Sequence, residues 1–314
     1  MRSGGLSVVE LMVSLALGLL VMLTCSALLV SASASYAGQT EATRLNDSAR
    51  YALEAVTRAV RQSAFVNWDV VDAPVGTQPE DSANVGGLDA RSLARDSEGI
   101  DAPLAGAVNG SDVLALRYYG AGTGPGGDGS VINCAGFGVG AGNSEAARGW
   151  SIFYVASDAS GEAELRCKYR GEKSWGADAL VRGVDSFQVL YGIDSDDPAD
   201  GAPNQYLSAT AIAVLDAALV LDGADAAARQ RDRNKKTHWK RVVSLKIALL
   251  LHGQPGSGLD GVPARFDLFG KDYADAYGRG DPGVSIDEQM LAPALRLRAR
   301  QLVVVTILLR NRPV

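Results

Sequence analysis

Gly4-Gly5-Leu6-Ser7-Val8-Val9-Glu10 leads directly into Leu11-Met-Val-Ser-Leu-Ala-Leu-Gly-Leu-Leu-Val-Met-Leu-Thr-Cys-Ser-Ala-Leu-Leu-Val30. No charge falls between Leu11 and Val30, and about twenty apolar residues in a helix are enough to cross a bilayer. Glu10 stands inside the run, with Leu6, Val8 and Val9 before it. An ionised carboxylate there costs a few kcal/mol in lipid, so it needs a partner or a purpose. The charged leader is only Met1-Arg-Ser-Gly-Gly5, and no small-x-small pattern closes the apolar run, so an ordinary secretory signal does not fit. Two readings stay open: a plain N-terminal anchor, or a segment cut ahead of its own hydrophobic core.

Gly5-Leu6-Ser7-Val8-Val9-Glu10 resembles the type IV prepilin processing motif, in which a short leader ends in Gly and Glu is the fifth mature residue. The resemblance implies a prepilin peptidase that cuts between Gly5 and Leu6 and methylates the new terminus. Leu6 stands where that family usually has Phe. In a bundle of packed N-terminal helices, the amino terminus of one subunit neutralises Glu10 of its neighbour, making the charge a register mark for assembly. The plainer alternative is a carboxylate that snorkels to the headgroups.

The chain of 314 residues is 47% hydrophobic with net charge −6, long enough for one large or two small domains beyond the anchor. The acidic balance argues against a dedicated nucleic-acid surface. Abundant glycine (36 residues) and 6% aromatics suit a loop-rich exported head. Of three cysteines, Cys25 lies in the apolar run and reads as a free thiol. Cys134 and Cys167 remain as a pair on the non-cytoplasmic side, where a disulfide is expected, worth a few kcal/mol. Two histidines and no clustered cysteines do not make an ordinary zinc site.

Leu45, Ala49, Ala52, Leu53, Val56, Ala59, Val60 and Ala64 recur at helical spacing, which predicts one helix from about Leu6 to Phe65. Residues 67–110 read as loop with short pieces of structure, including a strand near Phe65–Val71. Strands are expected over Asp112–Tyr119, Trp150–Ala156, Glu164–Arg170, Val184–Ile193 and Val243–Leu251. The second and third of these form a hairpin with Leu165, Cys167 and Tyr169 facing inward. Tyr206–Arg229 reads as helix, Arg229–Arg241 as a basic polar run, Gly253–Met290 as loop, and Leu302–Leu309 as a buried strand.

Val184–Asp194, His238–Leu251 and Val305–Arg312 look like signature segments of the minor pilin PilW family, and Cys134 with Cys167 looks like that family's head-domain disulfide. Leu207–Lys236 looks like an insertion. The resemblance implies a non-enzymatic subunit that joins other minor pilins and the major pilin on an inner-membrane assembly platform. It further implies a place in the complex that primes the fibre and sits at its tip, supporting adhesion, twitching motility or DNA uptake.

Other chemistries are weaker. Gly122-Thr-Gly-Pro-Gly-Gly127 matches Gly-x-Gly-x-x-Gly, but Asp128-Gly-Ser130 continues the turn where a helix would have to begin. Asp194, Asp196, Asp197 and Asp200 cluster on a tight turn in the manner of a calcium loop, yet no Glu completes an EF-hand, and a solvated acidic turn is the bland reading. Arg229, Arg231, Arg233, Lys235, Lys236, Lys240 and Arg241 form a basic patch. Nucleic-acid contact is one reading of it; a solvated loop balanced by Asp216, Asp222 and Asp225 is the other. His238 and His252 have no nucleophile context.

The expected protein is therefore α+β: a long pilin-type helix packed on a predominantly antiparallel β head with one disulfide. Residues 1–5 are the leader, 6–30 the membrane or filament-core half of the helix, 31–66 its amphipathic half, and 67–314 a periplasmic head. A type II secretion pseudopilin shares the N-terminal motif and is the near alternative. A membrane-anchored periplasmic enzyme or binding protein is the distant one, and would require a convergent polar pocket.

Overall fold

The computed structural model describes residues 7–66, 78–142, 144–258 and 264–311. The leader, the Gly5–Leu6 bond and Arg312 lie outside the described residues, as does most of the strand expected near Phe65–Val71. One α-helix, α1, runs Val8–Gln62. The chain divides into two units, residues 1–44 and 45–314.

The first unit is helix from Val8 onward. Every large aliphatic side chain from Val8 to Val30 is more than half exposed, Met22 at 70% and Leu28 at 71% among them. Among the described residues, α1 is the one helix long and apolar enough to cross a membrane.

In the second unit α1 becomes one-sided. Leu45, Ala49, Ala52, Val56, Ala59 and Val60 are buried at spacings of three and four, the stripe that the sequence pattern predicts. Four of the buried residues in this part of the helix are alanines, small enough to bring the backbone close to a sheet. The helix ends in a turn at Ser63 and Ala64. Ala64 takes a left-handed conformation (φ 59°), and its amide donates to Arg117 O at 3.0 Å.

The short strands β1 (Val85–Leu88), β2 (Ser92–Leu93) and β3 (Pro103–Leu104) come first. They are followed by β4 (Val113–Tyr118), β5 (Gly149–Ser157), β6 (Ala163–Arg170) and β7 (Trp175–Arg182). Then come β8 (Val184–Ile193), β9 (Gln205–Leu207), α2 (Ala209–Ala217) and α3 (Ala226–Lys236). The chain continues through β10 (Val242–His252), β11 (Arg265–Asp267), α4 (Lys271–Tyr277), β12 (Ser285–Asp287) and β13 (Arg300–Leu308).

Two antiparallel sheets dominate, in the orders β1-β4-β5-β6-β7 and β13-β10-β8-β9. One apolar core joins them to the helix. It includes Val56 and Val60 of α1, Leu114 of β4, Phe153 of β5, Phe187 of β8 and Leu249 of β10. The expected β5–β6 hairpin forms, with Phe153 opposite Cys167.

Three readings need correction. Tyr206–Arg229 is not one helix, because α2 stops at Ala217 and α3 starts afresh after Asp225, whose carboxylate caps it by accepting Ala228 N–H at 2.7 Å. The basic run is largely the helix α3 followed by a 3₁₀ turn over His238–Arg241, not a loop. β13 is an edge strand with only Ile307 fully buried and Leu308 61% exposed, so its β-branched density does not mark two-sided burial. The charged face of β6 is covered as well: Glu164 and Lys168 are buried. The segment around β2 supplies the cover, and Lys168 Nζ donates to Ala94 O, Ser97 Oγ and Gly99 O at 2.8–3.1 Å. Burial pushes the Lys168 ammonium down to about 8.

The Cys134–Cys167 disulfide is present, with Cα atoms 5.8 Å apart. It staples the glycine-rich loop after β4 to the buried face of β6, where both sulfurs are shielded from solvent. In that loop Gly127 has φ 58°, and a Cβ there would lie 2.0 Å from Ala121 O. The glycines thus serve close backbone packing.

Closing a loop of this separation (33 residues) removes about 3–4 kcal/mol of unfolded-state entropy. Cys134→Ser should lower the thermal midpoint of the oxidised protein by several degrees, and reductant should then have no further effect; scanning calorimetry with and without reductant reads both.

Candidate functional site

Glu10 lies in the first turn of α1 and is exposed, with one carboxylate oxygen accepting Ser7 N–H at 2.9 Å. An acidic group in that position complements the orphan amides at a helix N-terminus. Around it Val8, Val9, Leu11, Met12 and Val13 are exposed, each above 50%. This is an apolar rod with one carboxylate near its start, a surface that water alone does not stabilise.

The second unit carries the remaining candidates. On the acidic turn, carboxylate oxygens of Asp194, Asp196 and Asp200 converge within 4.8 Å, while Asp197 stands outside the group. Buried Asp194 already accepts the amides of Asp196 (3.1 Å) and Gly201 (2.5 Å), and Asp196 and Asp200 are exposed. Internal hydrogen bonds account for the shape of this turn.

Two lysines of the basic run are paired locally. Lys236 Nζ lies 2.8 Å from Asp222 and 2.7 Å from Asp232, and Lys235 lies 2.9 Å from Glu80. Lys240 donates to Pro79 O at 2.7 Å. Asp216 accepts from the Thr237 hydroxyl and from His238 Nδ1. The balancing role expected of the three carboxylates is seen for Asp222 alone; Asp216 holds Thr237 and His238, and Asp225 caps a helix.

The Gly-x-Gly-x-x-Gly stretch opens no helix. It borders a groove of about 710 Å³ lined also by Phe137, Tyr169, Trp175 and Arg95.

A further set of residues was missed by sequence reasoning. His252, at the end of β10, is fully buried between two carboxylates, with Nδ1 2.8 Å from Asp185 and Nε2 in contact with Glu162. Asp185 also receives Arg300 Nε at 2.7 Å, and Arg300 Nη1 reaches Glu288 at 2.6 Å. Arg298 meets Glu162 at 3.2 Å. The network joins β8, β10, β13, the β5–β6 turn and the segment after β12. Burial pushes the His252 imidazolium down, but hydrogen bonds and charge from Asp185 and Glu162 outweigh it and hold the group above its ordinary value. Burial raises the Asp185 carboxyl, but His252 and Arg300 outweigh it and hold it low. There is no nucleophile in this network; its ion pairs and hydrogen bonds join strands.

An exposed apolar helix with one carboxylate, followed by a disulfide-stapled antiparallel head, is the architecture of a pilin-like subunit. Residues 152–311 match the family described as type IV pilus-assembly protein W, PilW, and the chain belongs to that family. The match lies wholly in the head and is thus independent of the N-terminal stretch. No curated protein matches the chain. Among solved structures, a type IV-like pilin from Thermus thermophilus is similar over 85% of this chain and 96% of its own, with 11% identity and a TM-score of 0.38.

The network carries a pH signature. His252, raised above 6.5, contributes stability that is complete below 6.5 and lost as pH rises through its folded value. Asp185, lowered below 3.8, contributes stability present above 3.8 and lost as pH falls through its folded value. The thermal midpoint should fall between pH 6 and 8 in the native protein and fall less steeply in His252→Gln. Arg300→Met should cost about 3–5 kcal/mol, because it leaves buried Glu288 without its ion-pair partner and Asp185 with His252 alone; denaturant titration measures that loss.

Proposed function

We propose that this chain is a minor pilin that enters a helical bundle through the apolar part of α1 and helps initiate a type IV pilus, its head remaining near the tip. The observation that carries the reading is the exposed apolar run Val8–Val30 with Glu10 at its start. Such a rod has to be covered, first by the inner membrane and then by the matching helices of other minor pilins and the major pilin. In that apolar setting, an unpaired carboxylate selects for a neighbour whose amino terminus lies level with it. Cutting between Gly5 and Leu6 by a prepilin peptidase would create that amino terminus, and the assembly platform would deliver the neighbour. Membership of the PilW family supports the pilus over a secretion pseudopilus.

The head is suited to docking against other heads, since β7 and β13 end their sheets as edge strands. Adhesion, twitching motility and DNA uptake would follow from fibre assembly rather than from chemistry on this chain.

Mass spectrometry of the protein from a host with an active prepilin peptidase should show a chain beginning at N-methylated Leu6. An intact Met1 terminus would reduce the chain to an anchored periplasmic domain. Glu10→Ala should be cut normally yet be depleted at least about tenfold from sheared fibres, the cost of a lost intramembrane charge pair. Native levels in that fraction would remove the role given to the carboxylate.

A further inference from the structure

The head contains a second convergence of acidic side chains, assembled from distant parts of the chain and independent of the pilin reading. Asp89 follows β1, Asp112 precedes β4, and Asp281 lies between α4 and β12. One carboxylate oxygen from each lies within 4.8 Å of the others. Asp112 and Asp281 are 2% and 3% exposed. Among the described residues, no lysine, arginine or histidine forms an ion pair with any of the three.

Their surroundings hold them in place without neutralising them. Asp112 accepts Ala90 N–H at 3.1 Å and Val189 N–H at 2.9 Å. Asp89 accepts the first amides of α2, Ala209 at 2.9 Å and Thr210 at 2.7 Å. Tyr273 donates its hydroxyl to Asp281 Oδ2 at 2.9 Å. An ionised carboxylate offers about four lone-pair sites, so each keeps free acceptor capacity after these bonds. Donors of this kind behind a ligand orient it toward a metal.

Two buried polar atoms at the same place have no protein partner. Asp281 Oδ1 is one and the Tyr191 hydroxyl is the other. Tyr191 is fully buried, and its hydroxyl occupies the space that a Gly87 side chain would need, 1.8 Å from the Cβ position. That position is also 2.8 Å from Val113 O, so the hydroxyl sits beside β1 and β4, whose ends Asp89 and Asp112 adjoin. The charges that act on it are those of Asp112, Asp89 and Asp281. Buried polar groups normally find partners, and orphaned oxygens beside like charges point to something positive among them.

The donor chemistry suggests which cation. Calcium takes about six to eight oxygen ligands in a flexible shell, which carboxylates, a phenol oxygen and backbone carbonyls can supply. Magnesium holds its ligands at about 2.0–2.1 Å and favours several waters, which a buried cluster does not provide. We propose that Asp89, Asp112 and Asp281 form an internal site for one divalent hard cation, calcium by its tolerance of a dehydrated all-oxygen shell, with the Tyr191 oxygen beside it. The ion ties the end of β1, the start of β4 and the α4–β12 segment to β8. The exposed turn at Asp194–Asp200 has no such orphaned atoms and serves as the control.

The test uses the full chain in detergent, stripped with chelator and desalted. Terbium emission excited through tyrosine should appear with one equivalent of Tb3+ and be displaced by calcium. Calcium at a hundredfold excess over its dissociation constant should raise the thermal midpoint by about 5 °C. Asp281→Asn and the half-buried Asp89→Asn should each weaken calcium binding by about tenfold or more, with Asp196→Asn unchanged. Circular dichroism in chelator confirms that the variants fold. Absence of both displaceable terbium and a calcium-dependent shift in the native chain would mean that protons neutralise the cluster, and the proposal fails. Loss of binding in Asp196→Asn with retention in Asp281→Asn would place the ion on the outer turn and also overturn it.

Discussion

All ten residues of β8 are buried, so every backbone group on both of its edges must find a partner inside the protein. Leaving one unmade costs about 1–3 kcal/mol. One edge pairs with β10 along almost its full length. On the other edge β9 covers only Tyr191–Ile193. A strap over residues 109–112 completes that edge with side chains as well as backbone. Asn109 Nδ2 donates to Asp185 O at 2.9 Å, Ser111 Oγ accepts Phe187 N–H at 3.2 Å, and Asp112 Oδ2 accepts Val189 N–H at 2.9 Å. The strap can turn this sharply because Asn109 and Gly110 both have positive φ, 47° and 71°.

The polar residues at either end of this constraint follow from it. Asp185, second in β8, has to be neutralised where it lies, and His252 and Arg300 on the neighbouring strands are within reach because β10 and β13 pair in register beside it. Asp112 is needed as an acceptor for Val189, which places a carboxylate deep in the head and draws Asp89 and Asp281 into the same electrostatic problem. The ion-pair network and the acidic cluster are therefore two answers to the burial of one strand.

Much of the architecture was legible because periodicity reports burial. The α1 stripe, the β5–β6 hairpin, β8 and β10 all advertise themselves by spacing, and the N-terminal motif by the coincidence of Gly5, Glu10 and an uncharged run. β7 did not, since Trp175-Gly-Ala-Asp-Ala-Leu-Val-Arg182 alternates weakly and buries only Ala177 and Val181 at the sheet edge. β13 misled in the opposite sense, because β-branched residues suit an edge strand as well as a central one. His252 and Asp185 had a faint signal, polar residues closing apolar strands, but their pairing depends on sheet order, which spacing does not encode. Asp89, Asp112 and Asp281 are brought together only by the path of three loops, and nothing local marks them.

In the second unit, α1 and β13 run side by side in the same chain direction. Gln301 Nε2 meets Asn46 Oδ1 at 2.6 Å near one end, and Asn311 Nδ2 meets the carbonyls of Arg61 and Ser63 at 3.3 and 3.0 Å near the other. Tension entering the head along its helix therefore passes sideways into the last strand. β13 is held to β10 by an unbroken register from Ser244–Leu308 to His252–Arg300. A pull along the strand loads those hydrogen bonds in shear, so they resist together instead of opening one at a time. A head fastened in this way yields late when its stalk is stretched.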